Sequence, residues 1–260
     1  MIGASDTILL AQLPSYVFTF VLLLARVGAA CMLLPAVGEA DLPVTVRLAF
    51  ALAFSALLLP ARADGSLLMP DAPWRAAEMV MAELVTGLTL GWMAQLVVTA
   101  LQMAGQFIAN LTGLSNVLHP DGDMGAQASV VSRLLGLAAP ALLLASGLQS
   151  LPLSALAGSY DLVPIGALIP AADTTALAFD AVTRSFALAA QLSGPFILAN
   201  IIWQVALGVL GRLVPQLQVY FVAMPGQILG GLALFAWVAA GLMSGWLASA
   251  ADRFAALPGL

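Results

Sequence analysis

Polar residues recur at four-residue spacing inside two long apolar stretches, and they are the residues of this sequence best suited to recognition. One row runs through the stretch 76–111 and consists of Glu83, Gly87, Gly91, Gln95 and Thr99, followed after a three-residue step by Gln102, Gln106 and Asn110, with Gly105 beside them. The other row consists of Asn200, Gln204, Gly208, Arg212 and Gln216. Four residues turn a helix by about 400°, so each row winds slowly along one side of a helix.

This chemistry suits helix–helix contact in an apolar environment. Small residues let two backbones approach, and amide side chains hydrogen-bond across helices for about 0.6–2 kcal/mol each. Lipid cannot satisfy such groups, so they are expected to face protein or water. Two interpretations stay open on the residues alone. The rows either pack the helices of this chain together, or face other subunits or a water-filled path.

The other polar cluster is "HPDGD", which contains His119, Asp121 and Asp123. A calcium-binding EF-hand loop needs a glutamate eleven residues after its first aspartate, and Ser132 stands there. Aspartate and glycine favour turns by themselves, so the cluster indicates a turn. Neither a nucleophile–base pair nor a phosphate-binding glycine motif can be assembled. The sequence therefore predicts a protein that is not an enzyme and has no metal or cofactor.

Composition places these rows in a membrane protein. Hydrophobic residues make up 62% of the 260 residues and charged residues 8%, whereas soluble domains are about 45–50% apolar and about 25% charged. The eight basic residues are all arginines scattered along the chain, and the net charge is -5. Membrane lipid is therefore an expected contact, and a nucleic-acid partner is not.

Prolines, glycines and charged residues divide the chain into about six apolar segments: 8–37, 44–60, 76–111, 130–157, 176–211 and 217–250. Apolar and polar residues do not alternate with the period of two that a β-strand would show. Segments of this length favour helices that can cross a bilayer, so we predict an all-α membrane protein. Pro215 should break the fifth helix, because it lacks an amide hydrogen and clashes with the preceding turn. The chain can then turn near Arg212–Gln218 into the last helix, which gives a helical hairpin whose tip lies near Arg212. Pro225 should break or kink that last helix.

Three stretches carry a resemblance to one known family. The stretch "LGVLGRLVPQLQVYFVAMPGQILGG" resembles the signature of the FliR family of flagellar type III export-gate proteins. The opening "ARVGAACMLLPAVGEADLPVTVRLAFALAFSALLLP" and the central "AELVTGLTLGWMAQLVVTALQMAGQFIANLTGLSNVLHPD" are similar to the corresponding parts of that family. The resemblance covers nearly the whole chain.

The resemblance implies a non-enzymatic core subunit of the gate through which unfolded flagellar proteins are exported. It implies a single membrane domain of helical hairpins over 1–260, FliP-like over 1–175 and FliQ-like over 176–260. The implied partners are the FliP and FliQ gate subunits, FlhB, FlhA and the exported flagellar proteins. The implied location is the flagellar basal body in the bacterial inner membrane. The polar rows would then pack against other subunits.

The resemblance also implies a pore plug in the loop that follows the third segment, formed by Gly113, Leu114, Ser115, Asn116, Val117, Leu118, His119, Pro120 and Asp121. Small residues and glycines allow tight packing and later movement. The alternative for this loop is a plain solvated connection. For the whole chain, the alternatives are the homologous gate subunit of a virulence type III secretion system and a multi-pass small-molecule transporter.

Overall fold

The computed structural model describes residues 4–39, 42–62, 67, 70–114, 129–167, 171–213 and 219–259, and these residues form α-helices without a β-strand. The helices within them are α1 (Ala4–Cys31), α2 (Val44–Arg62), α3 (Pro73–Thr112), α4 (Val130–Ser146), α5 (Ser150–Leu162), α6 (Ala171–Leu192), α7 (Gly194–Leu213) and α8 (Val219–Ala255). The predicted all-α class is confirmed.

The fourth and fifth predicted segments each contain two helices. Gly147 follows the end of α4 with a φ of 76°, a left-handed conformation that suits glycine and ends helices. The amide of Ser150 then donates to the carbonyl of Gly147 at 3.2 Å. The fifth segment changes helix at Ser193, where Pro195 occupies the first turn of α7 and its missing amide costs nothing. The general prediction of broken helices is confirmed, although the sequence did not predict a break at either of these two places.

Within the described residues, five helices are long and apolar enough to cross a membrane: Leu13–Cys31, Val44–Arg62, Pro73–Thr112, Gly194–Leu213 and Ala223–Ala255. The interrupted pair α4 and α5 would make a sixth if it counts as one span. The helix α3 has 40 residues, which corresponds to about 60 Å. That is about twice the ~30 Å thickness of the bilayer hydrocarbon, so part of α3 extends beyond it.

The chain forms two compact units, and each is held together by its own contacts. The first comprises residues 1–95, 146–179 and 253–260. In this unit α1 and α2 form a hairpin, and together with α3 and α5 they build an apolar core from Leu23, Val27, Ala30, Cys31, Leu34, Ala51, Leu58, Leu90, Leu156 and Tyr160. The exposed side of α2 is also apolar, with Val44, Leu48 and Leu57 uncovered.

The second unit comprises residues 96–145 and 180–252. Side chains of neighbouring helices donate hydrogen bonds to backbone carbonyls of α3. Ser132 donates to Gln102 O at 2.8 Å, Ser185 to Leu96 O at 2.9 Å, Trp246 to Val97 O at 3.1 Å and Gln227 to Leu111 O at 3.0 Å. Helices α4, α6 and α8 are thereby fastened to the second half of α3.

Helices α7 and α8 form an antiparallel hairpin in the second unit. The rings of Phe196 and Phe235 lie 6.3 Å apart, and Gly226 lies against the indole of Trp203. Helix α8 runs through Pro225 without ending there, so Pro225 does not break the helix, and the predicted kink at Pro225 stays a prediction. A proline inside a helix removes one backbone hydrogen bond and crowds the preceding turn. Pro215 lies outside the described residues.

Candidate functional site

A fully buried ion pair fastens α1 to α3 in the first unit. The Nε of Arg26 donates to Glu83 Oε2 at 2.6 Å, and its Nη2 donates to Glu83 Oε1 at 3.1 Å. Both side chains are 0% exposed. Two parallel bonds between a guanidinium and a carboxylate fix the orientation of both groups. Each residue lies in a helix that could cross a membrane, where an unpaired charge is costly.

The segment that ends α5 supplies the remaining hydrogen bonds of this pair. Arg26 Nη1 donates to Ser159 Oγ at 3.2 Å, and Arg26 Nη2 donates to Val163 O at 3.0 Å. The amide of Gly166 donates to Glu83 Oε1 at 2.6 Å. Because every charged group is matched, the pair connects three parts of the unit without leaving a buried charge unsatisfied.

Tyr160 links the buried pair to a second pair on the outside of the unit. The Arg26 guanidinium lies 4.1 Å from the centre of the Tyr160 ring, and the Arg62 guanidinium lies 5.7 Å from it. Arg62 Nη2 in turn donates to Asp161 Oδ2 at 2.9 Å. Cations attract the face of an aromatic ring, so this stack holds the end of α2 against α5.

Two glycines of the first predicted row bring α3 into backbone contact with α1. A Cβ atom added at Gly87 would lie 2.1 Å from the carbonyl oxygen of Arg26, and one added at Gly91 would lie 2.7 Å from that of Ala30. No side chain larger than hydrogen fits these positions. The spacing of the glycines by one turn therefore permits the close approach that places Glu83 beside Arg26.

The C-terminal part of the same row packs α3 against α4 in the second unit. Gln106 accepts a hydrogen bond from the amide of Ser129 at 3.0 Å, and a Cβ added at Gly105 would lie 2.7 Å from Ser132 Cα. The side chain of Gln102 lies against Gly136. Gln95, the last residue of α3 in the first unit, is half-buried. These contacts support the interpretation in which the first row packs the chain's own helices. Contact of this row with other subunits stays a prediction.

The second row behaves differently, because most of it lies on the surface. Gln204, Gly208 and Arg212 are exposed along α7, and Asn200 is half-buried. Large apolar side chains flank them on the same helix, among them Ile202 at 70% exposure. Gln216 lies outside the described residues. A row of amides and an arginine on an exposed apolar helix favours contact with other proteins over contact with lipid.

We expect the substitution Arg212→Leu to weaken assembly with partner subunits more than membrane insertion. Arg212 lies in the last turn of α7, where a cation is favoured by exposed carbonyls and can also pair with a partner's acceptor. Insertion would be measured by resistance to carbonate extraction, and assembly by the fraction that copurifies with the partners. The substitution Arg75→Leu is the matched control, because Arg75 is also an exposed arginine on an apolar helix. Failed insertion with normal assembly of the inserted fraction would contradict this reading.

Of the predicted plug, only the first two residues are described. Gly113 has a φ of 77°, which suits glycine at the end of a helix, and Leu114 is buried at 8% exposure. Ser115, Asn116, Val117, Leu118, His119, Pro120 and Asp121 lie outside the described residues. The start of this loop is held in the second unit, where Gly113 lies near the side chain of Gln227. The plug itself stays a prediction.

The ion pair was not predicted from the sequence, although a signal for it exists. Arg26 and Glu83 both interrupt stretches that could cross a membrane. Charged residues in such positions usually have a partner within the protein, so pairing the two is the simplest way to satisfy both. Ser159 and Tyr160, which complete the cluster, have no comparable signal in the sequence.

Comparison with known proteins gives a consistent result over most of the chain. A family model described as bacterial export proteins, family 1, matches residues 17–252. The chain is 32% identical to the flagellar biosynthetic protein FliR of Caulobacter vibrioides over 230 residues, which are 88% of this chain and 92% of that protein. It is 28% identical to the flagellar biosynthetic protein FliR of Bacillus subtilis over 216 residues, which are 80% of this chain and 81% of that protein.

A relative outside the flagellar proteins also matches. The chain is 27% identical to the Yop proteins translocation protein T of Yersinia pestis over 212 residues, which are 80% of this chain and 80% of that protein. The flagellar protein of Caulobacter vibrioides is more similar and is covered over more of its length.

Proposed function

The chain belongs to the bacterial export proteins, family 1, and on that premise we propose that it is a non-enzymatic core subunit of the flagellar type III protein export gate. In this role it forms part of the pore for unfolded flagellar proteins and is required for flagellum assembly. The observation that carries the proposal is the similarity to a flagellar biosynthetic protein over 88% of this chain. The Yop translocation relative keeps a virulence secretion gate as the alternative.

The exposed surface of the α7–α8 hairpin supports a role inside an assembly. Leu198, Ile202 and Leu213 on α7 and Leu229 and Trp237 on α8 are all at least 65% exposed. Lipid could cover these apolar groups, but it could not satisfy the exposed Gln204 and Arg212 on the same hairpin. Neighbouring helices with polar groups of their own could cover both kinds of residue.

The length of α3 supports a role that is not confined to the bilayer. A helix of 40 residues extends well beyond the hydrocarbon region. Its polar residues contact α1 in the first unit and the start of α4 in the second. A small-molecule transporter would normally place its helix breaks and binding site near the bilayer midplane. Helices α3 and α8 are long and continuous, and this fits a subunit of a helical assembly better than a transporter with such a site.

The proposed partners are the FliP and FliQ gate subunits, with FlhB and FlhA alongside. We place the complex in the bacterial inner membrane at the flagellar basal body. We also retain the division into a FliP-like part over 1–175 and a FliQ-like hairpin over 176–260. The exposed second row supports this assignment, because Gln204, Gly208 and Arg212 are available for contact with such subunits.

Deletion of the gene tests the function. The deletion strain should lose motility and flagellin secretion while flagellar gene expression continues, and a plasmid copy should restore both. Normal filaments in the deletion strain would refute the proposal. Loss of virulence-effector secretion with normal motility would favour the alternative gate instead.

The plug proposal has its own test. If residues 113–123 close the pore, removing several residues from this loop should make the membrane permeable to ions and small solutes. Leakage would be measured as sensitivity of growth to the shortened chain, with assembly of the complex verified by copurification. A correctly assembled complex that does not leak would indicate that the loop is a plain connection. Equal shortening of the loop 163–170 would control for general loss of packing.

A further inference from the structure

Residues 254–259, which we call the clasp segment, include the end of α8 and belong to the first unit. Phe254 is 0% exposed and Leu257 is buried as well. The amide of Leu257 donates to the carbonyl of Phe254 at 3.2 Å, so the chain turns where the helix ends. Two buried apolar side chains and a hydrogen-bonded turn thus hold the clasp segment in this unit.

Beyond this turn, Gly259 lies directly on the backbone of α5. It has a φ of 108°, a conformation that glycine adopts at little cost. A Cβ added there would overlap the carbonyl oxygen of Ala155 and would lie 2.7 Å from the amide nitrogen of Ser159. In return, a Cβ added at Gly158 would overlap the carbonyl oxygen of Gly259. Only glycine fits on either side of this contact.

The position of Gly158 inside α5 is explained by this contact. Glycine in the interior of a helix destabilises it relative to alanine. The three atoms nearest to a Cβ added at Gly158 all belong to Gly259. The glycine that weakens α5 is therefore the residue that allows the clasp segment to reach its backbone.

Helix α5 covers the centre of the first unit. Ser159 Oγ accepts a hydrogen bond from the buried Arg26 at 3.2 Å. Leu156 and Tyr160 lie in the same apolar core as Cys31, which is 2% exposed. A displacement of α5 would therefore remove a hydrogen-bond partner of Arg26 and would open the core around the Cys31 thiol.

Two glycines with positive φ flank α5 in the chain. Gly147 precedes the helix with a φ of 76°, and Gly166 follows it with a φ of 80°. Hinges are a few residues at the ends of an element that absorb a change of φ and ψ, and glycine does so at the least steric cost. With such a residue on each side, α5 can move as one rigid helix.

We infer that the clasp segment holds α5 closed over the Arg26–Glu83 pair, and that its release lets α5 swing away and exposes Cys31. The contact joins backbone to backbone, so no flexible side chain can adjust to keep it partly made. It touches the amide of Ser159, whose hydroxyl accepts from Arg26, so release of the clasp reaches the ion pair directly. The device lies within the first unit and does not depend on the proposed function.

The rate at which N-ethylmaleimide alkylates Cys31 measures the opening of α5, because Cys31 is the single cysteine of the chain and buried groups react through local opening. In the purified chain in detergent, Gly158→Ala should raise this rate at least tenfold, although alanine is the better helix former. Gly28→Ala is the matched control, since a Cβ there meets no atom within 4 Å. An unchanged rate for Gly158→Ala, or an equal rise for Gly28→Ala, would overturn the inference.

Removal of residues 257–260 tests the clasp without any change in α5. The shortened chain should show the same rise in the alkylation rate of Cys31. Gly158→Ala should then cause no further rise, because the carbonyl that its Cβ would overlap is gone, and the rate should fall as alanine strengthens the helix. A further rise in the shortened chain would show that Gly158 is needed for a different contact, and would overturn the inference.

A thiol in the second unit separates the release of α5 from general unfolding. Ala139 on α4 is 0% exposed, so Ala139→Cys combined with Cys31→Ala provides a buried reporter there. Removal of residues 257–260 should leave the alkylation rate of this reporter unchanged. An equal rise for both thiols would mean that the clasp segment stabilises the chain as a whole and does not control α5, which would overturn the inference.

Discussion

Glu83→Leu should destabilise the chain by about 3–5 kcal/mol, because it leaves the Arg26 guanidinium buried without its counterion. Arg26 is 0% exposed and keeps only the bonds to Ser159 Oγ and Val163 O after the substitution. A loss of this size is a large part of the stability of most proteins. We expect little of the variant to accumulate in the membrane. Stability would be measured by unfolding in mixed micelles with increasing denaturing detergent.

The double variant Arg26→Leu/Glu83→Leu tests whether the pairing itself is responsible. Removing both charges leaves an apolar pair, which costs far less than one unpaired buried charge, so the double variant should be more stable than either single variant. Arg184→Leu is the matched control, because the Arg184–Asp180 pair is exposed and such pairs contribute about 0–1 kcal/mol. If the double variant is no better than the single variants, the pair is not the main stabilising contact of this cluster.

Gly87→Ala should destabilise the chain by about 1–3 kcal/mol, although alanine is the better helix former. The added Cβ would lie 2.1 Å from the Arg26 carbonyl oxygen and 2.9 Å from its carbonyl carbon. Both contacts are with backbone, so α1 would have to move away from α3. That displacement would also lengthen the hydrogen bonds between Arg26 and Glu83. The melting temperature of the purified chain would measure the loss.

Gly28→Ala provides the control within α1 of the same unit. A Cβ at Gly28 would meet no atom within 4 Å, so this variant should gain about 0.5–1 kcal/mol from helix propensity. The two substitutions change the same atoms and differ only in the space around them. Equal melting temperatures for the two variants would show that α1 and α3 can separate at no cost.

Composition and punctuation were enough to predict the class and the approximate extent of the helices. Pro73 begins α3, and the apolar segments match the helices closely. The division of the fourth and fifth segments into two helices each was harder to predict, because Gly147 and Ser193 lie in continuous apolar sequence. A glycine inside an apolar run can either continue a helix or end it. The decision depends on the contacts that each following helix makes, and these are not visible locally.

The polar rows were recognised as packing residues, but their partners were not. Four-residue spacing identifies one side of a helix and does not say what covers it. In α3 the glycines and Glu83 contact α1. The two residues of the ion pair, Arg26 and Glu83, are 57 positions apart in the sequence. In α7 the same kind of pattern remains exposed. A periodic row therefore predicts contact, whereas the choice between internal and external contact required the structure.

The hydrogen bond from Trp246 to Val97 O joins residues 149 positions apart, and this has a consequence for synthesis of the protein. Residues 253–260 belong to the first unit and residues 180–252 to the second, so neither unit can close before α8 has been translated. At about 5–20 residues per second, α3 stays in the membrane for on the order of ten seconds before α8 can donate its hydrogen bond to Val97 O. During that time the helices already inserted must persist without their final packing. The nascent chain therefore stays open to proteolysis until α8 has been made and has packed.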